Sequence, residues 1–344
     1  MYKVSVIIPT YNVADFAEKA IESVVNQTIG FENIELILVD DNSPDDTPKL
    51  IKKYSEKYDN VKGICLKENH GSPSNGRNIG IKEASSKYVM FLDHDDLYDK
   101  DLCKRFYESI EKYSADVVMC RYYSCTDEND LKLYDDLIDK SSVIIDDPKE
   151  NLTFFKDIYI WNKIYNVDFL RKFNIYFPTD ALFEDIVFCA KVNLHTDRIV
   201  LLNDYYGYYH NIRDTENPST SYSISYNSFL KILKGFEDTF EILNKYETSD
   251  ILNESKSEFY GMLIRIFITV NASYDEKIEL LKKMYELENE YNVKKLNVAW
   301  ENIFYQLILN KRFKSVINLS KIVNSIENSA YARKLYRKYF RNIK

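Results

Sequence analysis

Glycine is scarce in this chain, with eight in 344 residues, and the first is Gly30. No GxGxxG follows any strand-like run, which excludes the dinucleotide-binding dehydrogenases. The glycine-rich loop that a nucleotidylyltransferase needs after its first strand is missing for the same reason. Cysteine is sparse and odd in number. Cys65, Cys103, Cys120, Cys125 and Cys189 form no CxxC pair, which speaks against a zinc site or a disulfide framework and for reduced thiols in a reducing compartment. Positive charge is also short. A formal net charge of −8 argues against general nucleic-acid binding, which needs a basic surface to displace counterions. Long apolar runs are lacking too. The most apolar later stretch, 262–270, contains Arg265 and falls far below the roughly 20 residues of a membrane span. Met1-Tyr2-Lys3 leads straight into an apolar strand with no signal-peptide pattern, so the expected compartment is the cytoplasm, with room for peripheral contact at the inner face of a membrane.

What is present is an ordinary globular composition, 45% hydrophobic and 29% charged, with an unusual 29 tyrosines. The length allows one large core, or a core with a smaller appended domain. Residues 4–8, 34–39, 61–66 and 88–92 read as strands whose β-branched content suits burial on both faces. Residues 16–25 and 50–58 have helical spacing between them. Ser43-Pro44-Asp45-Asp46 reads as a helix start, with Ser43 as N-cap. Such alternation predicts an α/β fold, a mainly parallel sheet with helices on both faces, and ligands beyond the carboxyl ends of the strands. Residues 116–122 read as a further strand, 125–148 as an acidic excursion, 183–194 as a helix and 199–210 as strands. Beyond about residue 220 only helical periodicity remains. The expected division is therefore 1–220 and an all-helical 221–344.

The first strand ends in Pro9-Thr10-Tyr11-Asn12 and the second in Asp40-Asp41-Asn42-Ser43, on one rim of the sheet. A carboxylate there can bind a nucleobase or ribose, or simply cap the next helix. Residues 71–80 form a small-residue loop leading into a helix that carries Arg77. That arrangement suits a pyrophosphate, although such an arginine is often just a surface ion pair. The most specific feature is Phe91-Leu92-Asp93-His94-Asp95-Asp96. In extended chain Asp93 and Asp95 face one side and His94 the other. Two converging carboxylates call for a cation, and oxygen ligands select a hard ion such as Mn²⁺ or Mg²⁺, the alternative being a turn that is simply rich in acids. Glu184-Asp185 places two acids at a helix start, where acids also simply complement the helix dipole.

Taken together, residues 4–12, 39–43, 76–80 and 91–96 with Glu184-Asp185 resemble a family 2 glycosyltransferase of the GT-A fold, over roughly residues 1–215. The resemblance implies a mixed sheet flanked by helices and an inverting transfer from a nucleotide-sugar, UDP-linked by default, to an acceptor hydroxyl. The acceptor would be a glycan, polymer or lipid-linked carrier such as a capsule, teichoic acid, exopolysaccharide or glycoprotein glycan. It implies that Asp41 contacts the nucleobase, with Pro9, Thr10 and Tyr11 lining the same pocket, and that Asp93 and His94 lie near the donor. Asp95 would be the direct metal ligand, with Asp93 beside it. Asp185 would be the general base with Glu184 adjacent, and Arg77 would lie on the nucleotide side. His210 falls where some relatives place a further metal or phosphate contact, though a buried structural histidine fits equally. Trp161-Asn162-Lys163 matches a segment beside the acceptor cleft, or core. A non-catalytic nucleotide-sugar or glycan-binding protein on the same fold is the remaining alternative.

The last fourteen residues, 331–344, carry six basic residues and no acid. Leu335, Tyr336, Tyr339, Phe340 and Ile343 recur at helical spacing, giving a basic-aromatic helix suited to an anionic lipid interface. The same face could instead pack on preceding helices or on a second subunit.

Overall fold

The computed structural model describes residues 1–125, 131–133, 143–146, 157–211, 224–245, 250–294 and 296–328. The tail at 331–344 lies outside these, as does most of the acidic excursion. The chain divides into two compact units, Met1–Thr179 with Glu184–Asn217, and Asp180–Phe183 with Pro218–Lys344.

The first unit is built on strands β1 (Val4–Thr10), β2 (Ile34–Asp40), β3 (Val61–Cys65) and β4 (Tyr88–Phe91). β1 lies between β2 and β4, all parallel, and β3 extends the sheet beyond β2. Every residue of β1, β2 and β4 is buried, as dense β-branched and aliphatic runs covered on both faces require. Helices α1 (Ala17–Val25), α2 (Thr47–Lys57) and α3 (Pro73–Glu83) connect them. After the two-residue β5 (Leu97–Tyr98) and α4 (Leu102–Tyr113), β6 (Val117–Cys125) resumes the sheet. Two short strands, β7 (Leu131–Leu133) and β8 (Val143–Asp146), interrupt what reads in sequence as a plain excursion. They pair with β6 and with β10 (Arg198–Asn211). β9 (Lys163–Asn166) enters antiparallel between β4 and β6, making the sheet mixed, in the order β3-β2-β1-β4-β9-β6-β10-β5. α5 (Val167–Lys172) and α6 (Glu184–His195) complete the unit.

One expected boundary is displaced. α2 begins at Thr47, not after Ser43. The Ser43 backbone N–H donates to Asp40 at 2.9 Å, its hydroxyl donates to the same carboxylate, and its Oγ accepts the Asn12 N–H at 2.9 Å. Ser43 is thereby committed to the rim turn. The N-cap position falls on Asp46, which makes no side-chain cap bond, and Asp45 before it accepts the Thr47 N–H at 3.0 Å.

Two glycines fix α3. A Cβ on Gly80 would lie 2.5 Å from Ile7 Cγ2, and one on Gly76 3.1 Å from Pro9 Cβ. Glycine at i and i+4 thus lets α3 lie directly on β1, with its N-terminal turn at the rim.

The second unit is helical: α7 (Tyr226–Asn244), α8 (Asp250–Thr269), α9 (Tyr274–Tyr291), α10 (Ala299–Leu309) and α11 (Phe313–Asn328). Ser225 caps α7, and Ser273 with Glu276 forms a capping box on α9. Its core holds Phe229, Phe236, Phe240, Tyr260 and Phe267. Among the described residues no helix is long and apolar enough to cross a membrane.

Candidate active site

The parallel strands end on one rim, and the rim turns are shaped by asparagine. Asn12 and Asn42 have φ of 55° and 61°, a region this side chain tolerates better than most. Pro9 and Thr10 are buried at the end of β1, whereas Tyr11 is 48% exposed. Thr10 donates to Asp40 at 3.3 Å, and Asp41 donates its N–H to the Thr10 carbonyl at 2.9 Å.

Asp41 is already engaged. Its carboxylate accepts the backbone N–H groups of His70 and Gly71 at 2.9 and 3.1 Å, and the His70 ring Nδ1 lies 2.8 Å away. A carboxylate offers about four acceptor positions, so about one remains for a ligand. No sequence motif marks His70, yet it ties β2 to the loop before α3.

Arg77, expected on the nucleotide side, is turned toward protein acids. Its side chain is 4% exposed and its donors go to protein carboxylates. Nη1 donates to Glu184 and to Asp185, each at 2.9 Å, and Nη2 donates to Asp93 at 2.8 Å. The Phe177 ring lies 5.3 Å beneath the guanidinium, and Asn78 exchanges two 2.9 Å hydrogen bonds with the Phe177 backbone. Phe177 in turn stacks on Phe188 at 4.1 Å. In Gly76-Arg77-Asn78, therefore, the glycine permits close approach to β1, the arginine binds the acids, and the asparagine anchors the ring that supports it.

Glu184 and Asp185 open α6. Phe183 before them has φ of 61°, which a bulky side chain rarely adopts. Burial raises the Asp185 carboxyl above the usual carboxylate range. Arg77 opposes that, and Glu184 and Asp93 add to it. Burial works against the charge of Arg77 as well, but Asp185, Asp93 and Glu184 more than offset it, so the guanidinium holds its proton more tightly than usual.

The turn after β4 is fastened by Tyr208. Its hydroxyl donates to the buried Asp96 carboxylate at 2.5 Å and accepts the Asp93 N–H at 3.4 Å. Trp161 is buried and stacks on Tyr208 at 4.1 Å and on His210 at 5.3 Å. Trp161 thus belongs to the core that supports the rim. His94 and Asp95 are half-buried in the same turn. Burial lowers the pKa of His210 while Asp93 and Asp95 oppose it, so the histidine lies within charge reach of both.

For a divalent cation, Asp93, Asp95 and His210 offer carboxylate and imidazole, and burial favours the neutral imidazole that binds metal. Among the described residues no three His, Cys, Asp or Glu side chains converge as a ready-made metal site. That donor set fits a hard ion held by one or two side chains and completed by a substrate's phosphate oxygens.

Residues 5–178 match the family described as Glycosyl transferase family 2. The poly(ribitol-phosphate) beta-N-acetylglucosaminyltransferase TarS of Staphylococcus aureus is 30% identical over 237 residues, 68% of this chain and 40% of that protein. The chain thus spans well under two thirds of the length of that relative. TarP of the same species, also a poly(ribitol-phosphate) beta-N-acetylglucosaminyltransferase, is 28% identical over 308 residues, 84% of this chain and 89% of that protein. The crystal structure of TarS 1–349 in complex with UDP-GlcNAc superposes with a TM-score of 0.77 at 21% identity, covering 94% of this chain and 92% of that one. The expected GT-A fold is the fold observed. With half of the sequence matching, and with the acidic strand end and the paired acids of α6 facing one rim of that fold, this chain belongs to glycosyl transferase family 2.

Proposed function

We propose that this protein transfers a sugar from a nucleotide-sugar, UDP-linked by preference, to a hydroxyl of a bacterial surface glycan, with inversion and with a divalent cation. The observation that carries this reading is the single guanidinium joining Asp93 at the end of β4 to Glu184 and Asp185 at the start of α6. A donor-side carboxylate and a candidate base are thereby held in one cluster. The named relatives act on poly(ribitol-phosphate), which supports an acceptor of that class, a polyol-phosphate polymer or its lipid-linked form. A cytoplasmic location suits such a donor.

In this reading Asp41, Thr10 and Tyr11 receive the nucleoside and the turn at Asp93 and His94 receives the donor ribose and sugar. Asp95, with Asp93 and His210 beside it, would hold Mn²⁺ or Mg²⁺, whose bound charge offsets that of the departing diphosphate. The electrostatics favour this need for a cation. Three acids share one arginine, so a diphosphate meets an excess of negative charge. Asp185 accepts the proton of the acceptor hydroxyl as that oxygen attacks the anomeric carbon from the face opposite the leaving group. Its raised pKa suits a base that must hold a proton.

The test is product release from UDP-, GDP-, CDP- and dTDP-sugars with Mn²⁺ and a polyol-phosphate acceptor, followed by NMR of the new linkage. An inverted anomeric centre is expected; a retained one would contradict single displacement, and binding without turnover would favour a glycan-binding role.

A further inference from the structure

The guanidinium of Arg77 sits behind the carboxylates it holds. Arg77 is 4% exposed, whereas the Asp93 and Asp185 side chains are 28% and 27% exposed. Those two acids come from separate elements, the end of β4 and the start of α6, and this one residue hydrogen-bonds to both. Arg77 itself is fixed from three sides: Gly76 and Gly80 seat α3 on β1, Asn78 grips the Phe177 backbone, and the Phe177 ring supports the guanidinium plane. Its Nε–H is buried without a hydrogen-bond partner among the described residues. An unpaired buried donor is destabilising, and one cation among three acids is no balanced pair.

We infer that Arg77 is a positioning residue: one guanidinium, held rigidly from behind, sets the spacing between the donor-side Asp93 and the candidate base Asp185. The inference rests on the glycosyl-transfer reading for the roles of those two aspartates. A planar guanidinium presents its donors on separate nitrogens in a rigid fork, whereas a lysine ammonium gathers them on one atom at the end of a flexible stem and fixes their spacing less. The groups facing Asp185 are Arg77 from α3, Asp93 from the turn after β4, Lys163 and Tyr165 from β9, and Glu184 and Cys189 from its own helix. Arg77 and Lys163 are the cations of that set. Loss of the Arg77 charge therefore raises the pH at which Asp185 loses its proton.

The experiment compares wild type with Arg77→Lys, Arg77→Gln and Phe177→Leu in the full chain, using a turned-over UDP-sugar with Mn²⁺. Arg77→Lys should lower kcat by about 10²-fold, the scale of a 1 Å misplacement, a larger change than in the donor KM. Arg77→Gln should also move the Asp185 titration upward, followed by carboxyl ¹³C NMR with the resonance assigned by its loss in Asp185→Asn. Should the Arg77 variants fail to fold, Phe177→Leu carries the test, since it keeps the charge and removes the support; its kcat should fall. Unchanged kcat in the folded variants, or an Asp185 titration unmoved in Arg77→Gln, would overturn the inference. The NMR titration needs no turnover, so a wild type inactive on every donor would count against the glycosyl-transfer reading while Arg77 and Asp185 are still tested.

Discussion

Asp185 carries the largest expected effect of any single side chain. General-base assistance is typically worth about 10²- to 10⁴-fold. Asp185→Asn should therefore lose at least about a hundredfold in kcat while still binding nucleotide by calorimetry; a Glu184→Gln variant crippled in its place would reverse the assignment within the pair. The sign of the pH dependence follows from the raised carboxyl. A base must be unprotonated, so kcat/KM should climb with pH through a midpoint above the ordinary aspartate value of about 4. An acid limb at or below that value would show that burial does not govern Asp185 during turnover. Tyr208 acts on structure. Tyr208→Phe removes a donor from the buried Asp96 carboxylate, and hydrogen bonds to charged groups contribute about 1.5–3 kcal/mol. Urea unfolding should show a loss of that size, and an unchanged midpoint would mean that Asp96 is held by its other contacts alone.

At the scale of elements, the close seat of α3 on β1 is the feature most open to a direct test. Gly80→Ala gains about 1 kcal/mol in helix propensity. It also forces a methyl to within 2.5 Å of a buried isoleucine, and overpacking of this kind costs about 1–3 kcal/mol. A net loss of stability is expected by chemical denaturation, and a gain would mean that Ile7 yields without cost. The first four strands are legible in sequence because β-branched residues buried on both faces leave an unambiguous apolar run. The start of α2 is not: Ser43 has the right residue type for a cap, but a long-range partner, Asn12, takes its oxygen. β9 inserts antiparallel between strands that precede it, a pairing that four residues of local pattern cannot reveal. The Arg77 cluster is hidden for a related reason. Its members are individually conspicuous, but only the folded sheet shows that one arginine reaches all three acids. Tyr208 stands two residues before His210, yet a tyrosine's hydroxyl partner leaves no mark in sequence.

At the scale of the whole molecule, the two compact units each have a core of their own, and the family match at residues 5–178 falls in the first. The basic-aromatic segment 331–344 falls within the sequence span of the second. If it contributes membrane affinity, binding to vesicles rich in anionic lipid should weaken with salt and be lost on deletion of 331–344, as about 1 kcal/mol per basic residue near the surface requires. Co-sedimentation that ignores lipid charge or survives the deletion would assign the segment to packing or to a second subunit. The excess of acid at the rim extends to cofactor dependence: EDTA should abolish turnover, and Mn²⁺ or Mg²⁺ should restore it. Release of nucleoside diphosphate from a UDP-sugar in the presence of a polyol-phosphate acceptor and Mn²⁺, compared between wild type and Asp185→Asn, is the most direct measurement. Acceptor-dependent release by the wild type that falls at least about a hundredfold in the variant is the predicted result; equal rates in the two proteins, or no release by the wild type from any nucleotide-sugar, would contradict it.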